Sequence, residues 1–212
     1  MPDSSSTLPQ EAVTKIYDRN APFYDVMEAP MEWLVFGRWR CEQLRGVRGR
    51  VLELGVGTGH SLPHYPREGV ELTAVDVSSA MLERAERHAS NLGLEVDIVQ
   101  ADIRDLPFAT ASFDVVVSAC VFCSVADPVE GLRQAHRVLR SGGELRMLEH
   151  QRPDGPRMAS LFDLLNPVAV RVSGANINRE TQRNVERTGF AEVYARRTGP
   201  LGVVRLITAR KA

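Results

Sequence analysis

The sequence predicts an α/β fold built on a doubly wound, mostly parallel sheet. Three observations predict it. Strand-like and helix-like segments alternate from about residue 50 to residue 150. The strand-like runs are nearly continuous in apolar residues, as parallel strands covered on both faces are. The first of them, "VLELGVGTG", passes straight into closely spaced glycines, the sharp turn at which such sheets hold their ligands.

The elements follow in order. "MPDSSSTLPQ" is polar and is expected to be a disordered lead-in rather than a signal peptide. "EAVTKIYDRNAPFYDVME" begins as a helix that Pro22 is expected to break. "MEWLVFGRWRCEQL", from Met31 to Leu44, has apolar residues at helical spacing and should pack on the core. Residues 1–45 thus read as a lead-in and helical cap, and 46–212 as the main domain with an insertion at about 151–190. Within it "RVLELGV", "ELTAVDVS", "EVDIVQAD", "FDVVVSACVF" and "ELRMLEH" are predicted strands. "SAMLERAERHASNLG" is a predicted helix capped by Ser78 or Ser79 and stopped by Gly93. "DPVEGLRQAHRVLRSGG" is a second, starting at Asp127–Pro128 and ending in Gly142–Gly143. "AEVYARRT" and "LGVVRLITAR", joined at Gly199–Pro200, suit a hairpin at the sheet edge.

Composition narrows the class. The 212 residues are 43% hydrophobic and 25% charged, ordinary for a globular protein. No apolar run reaches the ~18 residues of a membrane span. Three cysteines do not suggest a disulfide framework, so a reducing, cytoplasmic home is expected. A net charge of −1 argues against a nucleic-acid partner. The charge is uneven, however. From Gln151 onward there are eleven Lys or Arg against five Asp or Glu, an excess of +6, and the first 150 residues carry −7.

The glycine loop asks which cofactor it serves. Gly55, Gly57 and Gly59 are spaced G-x-G-x-G, not the G-x-G-x-x-G of dinucleotide sites, and Pro63 and Pro66 disturb the helix that should follow. Glu53 lies just before the loop, where a carboxylate repels pyrophosphate but suits an ammonium group. Asp76 ends the second strand, where an acid accepts from both ribose hydroxyls of either cofactor type. Asp102 follows the third strand and can accept from an adenine amino group. These features favour S-adenosylmethionine (SAM) and leave an NAD(P)-binding oxidoreductase as the alternative.

Together "VLELGVGTG", "AVDVSSAML", "QADIRDLPFATASFDVVVS" and "AHRVLRSGGEL" resemble the successive motifs of class I SAM-dependent methyltransferases, of the type 11 and quinone-methyltransferase kind. The resemblance covers about Tyr17 to Glu149. It implies a Rossmann-like seven-stranded sheet whose last strand is antiparallel, and SAM as cofactor. By position, Glu53, Gly55 and Gly57 would border the methionine part of SAM. Asp76 and Val77 would lie at the ribose, Met81 would flank the adenine, and Asp102 and Ile103 would read it. Cys120 would line the pocket. "YDRNAPFYDVME" resembles the cap of small-molecule methyltransferases, which places Tyr17 at the cofactor and Tyr24 at the acceptor.

The acceptor is less determined. His150, with Glu149 at the end of the fifth strand, is a candidate base or acceptor-orienting group, or else a structural, hydrogen-bonded histidine; His60 and His64 read as structural or solvent-facing. No His, Asp and Asn constellation suggests a metal. Cys120 and Cys123 form C-x-x-C, but within a predicted strand they read as free thiols rather than a redox pair. "VFCSVADPVEGLRQAHRVLRSGGELRMLEH" and "GANINRET" resemble phospholipid N-methyltransferases and membrane-associated thiol methyltransferases. "MASLFDLLNPVAVRVSG" is apolar and amphipathic, flanked by Arg157 and Arg171 and followed by Arg179, Arg183 and Arg187. It reads either as a lid packed on the domain or as contact with an anionic lipid surface. The expected acceptor is a small or lipid-like nucleophile, with phosphatidylethanolamine ahead of a thiol or quinone. Peripheral contact at the inner membrane face goes with it, and a SAM-binding regulator without catalysis is the remaining alternative. Nothing in the pattern sets an oligomeric state.

Overall fold

The computed structural model describes residues 8–32, 36–199 and 203–212. The first seven residues of the polar lead-in, residues 33–35 of the second predicted helix and residues 200–202 of the hairpin turn lie outside the described residues.

Seven strands form one sheet: β1 (Gly49–Leu54), β2 (Val70–Asp76), β3 (Val96–Gln100), β4 (Phe113–Ala119), β5 (Leu139–His150), β6 (Ala191–Thr198) and β7 (Val204–Arg210). Their order is β3-β2-β1-β4-β5-β7-β6. β7 runs antiparallel to both of its neighbours, and the other pairs are parallel. The order reverses at β1, between β2 and β4, so a crevice opens at the carboxyl ends of those strands.

Helices cover both faces. On one, α2 (Gly37–Leu44) and α3 (Ser79–Leu92) bury Leu44, Leu82 and Ala85 against Val51, Ala74 and Val117. On the other, α4 (Pro128–Val138) and α6 (Thr181–Glu186) bury Leu132, Val138 and Val185 against Leu52, Val116 and Ile207. The predicted signals hold at α3: Ser78 Oγ accepts from the Met81 N–H, and Gly93 stops the helix at φ 62°. Asp127 caps α4 through the Glu130 N–H.

Two expectations are corrected. α1 (Gln10–Met31) runs through Pro22 rather than breaking there. A proline inside a helix costs about 3 kcal/mol. Tertiary anchors hold α1 regardless: Val13 and Ala21 are buried, Gln10 Oε1 accepts from the Ala126 N–H, and Ser78 Oγ donates to Asp18. α4 ends at Val138, four residues before Gly142. Lys211 takes the next residues into the sheet. Its backbone pairs with Gly142 and Gly143, and its Nζ donates to the carbonyls of His136 and Leu139 at 2.8 and 2.7 Å.

After β5 the chain forms α5 (Pro156–Ser173), five of whose aliphatic residues face outward. Leu164, Val168 and Val172 are 75, 63 and 67% exposed, and Leu161 and Leu165 are exposed too. Its buried residues are Ala159, Asn166 and Val170.

Candidate functional site

The crevice at the carboxyl ends of β1, β2 and β4 is a partly open cleft. Such switch-point crevices are where open α/β sheets bind small-molecule ligands. β1 and its glycine turn contribute Glu53, Gly55 and Gly57; β2 and the start of α3 contribute Asp76, Val77 and Met81. Asp102 and Ile103 come from the loop after β3, and Cys120 from the turn after β4. α1 lies over the opening and adds Tyr17 and Tyr24, whose rings are 6.2 Å apart. Every residue expected at the cofactor lines this one cleft, and so does Tyr24.

The turn has its shape for a steric reason. Gly55 sits at φ 65°, and a Cβ there would come within 2.5 Å of Val121 Cγ2. Gly57 sits at φ 56°, and a Cβ there would meet open space instead of protein. Its N–H donates to Asp76 Oδ2 at 3.0 Å, while the Ser78 N–H donates to Asp76 Oδ1 at 2.9 Å. Each Asp76 oxygen therefore keeps an acceptor site for a ligand hydroxyl. Burial pushes the Asp76 carboxyl above its ordinary value, against the pull of the Ser78, Gly57 and Val77 N–H groups.

Glu53 is buried, and its Oε2 has no hydrogen-bond partner. Burial drives its carboxyl upward, with Ser61 and the Arg40 guanidinium offsetting part of the rise. An ammonium group beside Oε2 would restore the charged form. The orphaned oxygen, the pinned Asp76 and the open side of Gly57 fit SAM, which carries an ammonium, a ribose and no phosphate. At Asp102 burial pulls upward, but the Arg104 hydrogen bonds outweigh it and hold the carboxyl low. Arg104 Nη2 is 2.6 Å from Asp102 Oδ2.

His150 does not reach the cleft, although the register puts it on the sheet face of Glu53 and Ala119. Successive side chains of a strand point to opposite faces, so Glu149 lies on the other side. Glu149 turns under the loop after β4, where its Oε1 accepts from Ser118 Oγ at 3.1 Å and from the Val121 and Phe122 N–H groups. His150 turns the other way and stacks on Phe162 of α5, with ring centroids 5.9 Å apart and planes 8° from parallel. The predicted fourth strand also stops early. Cys120 has φ 58°, so the C-x-x-C pair sits in a turn beyond β4. Cys123 is buried, and burial with the nearby Glu149 pushes its thiol up to about 12.

Sequence reasoning missed Arg40 and the role of Gln10. Arg40 is buried at the cleft, donating to both Glu32 oxygens at 2.7 and 3.1 Å and to Ser61 Oγ at 2.9 Å. No local motif marks it, because its partners come from another helix and from the glycine turn. His60, read as structural, also lines the cleft, 6.4 Å from the Tyr24 ring. Arg179 is buried and donates to the Val125 carbonyl at 2.9 Å, and Arg183 pairs with Glu180. The basic residues after α5 are therefore not one exposed row.

Comparison with known proteins decides the family. Residues 52–147 match the model of the methyltransferase domain. The chain is 36% identical over 156 residues to a phosphatidylethanolamine N-methyltransferase of Cereibacter sphaeroides, spanning 70% of this chain and 73% of that protein. It belongs to the class I SAM-dependent methyltransferases. It is also 36% identical over 159 residues to a mouse thiol S-methyltransferase, covering 72% and 65% of the two chains. A ubiquinone/menaquinone biosynthesis C-methyltransferase of Hahella chejuensis is 29% identical over 185 residues, covering 83% and 74%. Among solved structures, the phosphoethanolamine N-methyltransferase 2 of Haemonchus contortus in complex with SAM shares the fold, with a TM-score of 0.70 at 16% identity and coverage of 92% and 57%. The cofactor of this methyltransferase is SAM, and the NAD(P)-dependent and non-catalytic readings are set aside.

Proposed function

We propose that this methyltransferase transfers the methyl group of SAM to the amine of a lipid-like acceptor, with phosphatidylethanolamine as the substrate. The observation that carries the reading is the Tyr17–Tyr24 pair over the cleft, with the apolar Val13 and Val125 among its walls. Aromatic faces hold an ammonium group, apolar walls accept what is attached to it, and the acceptor nitrogen gives its proton to solvent before its lone pair takes the methyl group as the S–CH3 bond breaks. The 36% identity to a phosphatidylethanolamine N-methyltransferase supports the same acceptor.

The residues divide the work. Glu53 holds the ammonium of SAM, Asp76 its ribose hydroxyls with Val77 beside them, Met81 the face of its adenine, and Asp102 with Ile103 the adenine edge. Gly55 and Gly57 let the backbone approach, and Cys120 closes the wall after β4. When bound, SAM supplies an electrophilic methyl on a sulfonium, so positioning provides much of the rate. α1 lies over the opening as a cap that excludes water, while the segment of about 151–190 lies outside the cleft lining and braces the cap and the turn after β4 through Gly174 and Asn176. Tyr17 and Tyr24 orient the acceptor. Burial raises the Tyr17 hydroxyl, which makes it a hydrogen-bond donor at neutral pH rather than a base. His150 acts by holding α5 through Phe162. The reading carries with it a cytoplasmic protein that works peripherally at the inner membrane face.

Lipid mass spectrometry of cells with and without the protein tests the acceptor. Mono-, di- or trimethylated ethanolamine lipids are the expected products. An unchanged lipid profile together with methylated small thiols, or methylated quinones, overturns the assignment.

A further inference from the structure

α5 is built inside out for a helix on a domain surface. On a helical wheel, Leu161, Leu164, Leu165, Val168 and Val172 fall within an arc of roughly 100°. The buried Ala159, Asn166 and Val170 lie on the opposite side. The buried polar residue holds the helix down: Asn166 Oδ1 accepts from the Ile177 N–H at 2.8 Å, and its Nδ2 donates to Asn176 Oδ1 at 3.1 Å. All five residues of the outward stripe are exposed, Leu164, Val168 and Val172 by more than half.

Charge says what covers it. Arg157 and Arg171 project from the same side near the two ends of the stripe, are exposed, and make no ion pair among the described residues. The one carboxylate of the helix, Asp163, is drawn sideways to Arg152 at 2.6 Å. A second copy is a poor partner, because face-to-face stripes would bring Arg157 and Arg171 against each other or themselves in either orientation. A surface that is apolar within and anionic at its headgroups satisfies both parts of the face. No described helix is long and apolar enough to cross a membrane, so α5 lies in the interface plane, about 27 Å long at ~1.5 Å per residue.

We infer that the outward face of α5 docks the enzyme on an anionic phospholipid surface. The dock adjoins the cleft. Asn176, held by Asn166, donates through its N–H and Nδ2 to the Cys123 carbonyl at 2.8 and 3.1 Å, in the turn that also carries Cys120. Gly174 at the end of α5 approaches Val13 and Tyr17 of the cap. Docking therefore sets the acceptor side of the cleft against the lipid. The inference rests on the outward stripe and not on the identity of the acceptor.

Sedimentation of the full chain with vesicles of phosphatidylcholine, with and without phosphatidylglycerol, tests it. Both vesicles lack ethanolamine lipid, so the result is independent of the proposed acceptor. The wild type is expected to pellet with the anionic vesicles, less so as salt rises. The pair Leu164→Glu and Val168→Glu is expected to weaken binding on the order of tenfold or more. Arg157→Ala with Arg171→Ala should weaken it severalfold and flatten the salt dependence. SAM affinity should stay unchanged in all, which shows that the fold is intact. Tyr194→Glu, at an exposed apolar residue of β6, should bind vesicles as the wild type does. Failure of the wild type to bind, or equal binding by the Leu164→Glu, Val168→Glu protein, overturns the inference. So does a dimer in the absence of vesicles that this pair dissociates, which would assign the face to a second copy.

Discussion

At the ends of β1 and β2, Glu53 and Asp76 are held in the interior with acceptor capacity to spare, beneath a cap that closes over them. Along α5, Asn166 is buried with its side chain satisfied at both ends, and leucines and valines stand outside. Both regions bury polar groups, but for opposite purposes. In the cleft the polar atoms are left for a ligand, and the apolar residues around them form the core. On α5 the polar atoms fasten the chain to itself, and the apolar residues are left for something beyond the domain. The open acceptor sites of Glu53 and Asp76 thus contrast with the satisfied side chain of Asn166.

The largest effect expected is at Glu149, which stands under the turn where the two regions meet. Burial raises its carboxyl to about 7 from an ordinary 4.5, so the folded chain holds a proton that the unfolded chain releases. The stability that this contributes is fully present below about pH 4.5 and is lost as pH rises through 7, a change of about 3 kcal/mol. Glu53 and Asp76 are raised in the same sense, so the informative quantity is the difference between wild type and Glu149→Gln. Denaturant melts of the two at pH values from 4.5 to 8 should give a difference that shrinks by that amount. A constant difference would mean that Glu149 is charged in the folded protein.

Next is the cofactor side itself. Asp76→Ala removes the charged acceptor left open to the ribose and should weaken SAM binding by roughly 1.5–3 kcal/mol while the protein stays folded. Calorimetric titration measures it, and unchanged affinity would break the distinction between open and satisfied acceptors. The smallest effects lie on α5, where the comparison is sharpest. Asn166→Ala leaves a buried N–H and a buried amide carbonyl unpaired and should cost about 1–3 kcal/mol. Leu164→Gln on the outer face should change stability by less than about 0.5 kcal/mol. If the leucine cost more than the asparagine, the helix would be turned the other way.

The sequence made the cleft readable because its signals are local. A glycine forced to positive φ at Gly55, an acid at a strand end at Asp76 and a cap at Ser78 each act within a few residues of where they stand. The seven strands were readable for the same reason, since apolar runs and turn residues mark them directly. What escaped depends on distant partners. Arg40 reaches the cleft because Glu32 and Ser61 meet it there. α4 ends early because Lys211, far along the chain, captures its last carbonyls. Pro22 is tolerated because Ala126 and Ser78 hold α1 in place. His150 misses the cleft although it shares the sheet face of Glu53 and Ala119, because Phe162 of α5, a partner the local pattern does not announce, takes its ring. On α5 the amphipathic pattern was legible, but the side facing outward was not, since the decisive bonds run from Asn166 to Asn176 and Ile177.

The three thiols of the chain are graded in access: Cys41 is exposed, Cys120 half-buried and Cys123 buried. Only a thiolate reacts with alkylating reagents, and the Cys123 thiol is both covered and held protonated at neutral pH. Its Sγ donates to the Cys120 carbonyl and its own carbonyl is held by Asn176, so the turn after β4 must open before a reagent arrives. The chain thus carries a built-in clock. Cys41 marks zero time, and the lag before Cys123 is modified counts how often that turn opens, in the native sequence and with no probe added.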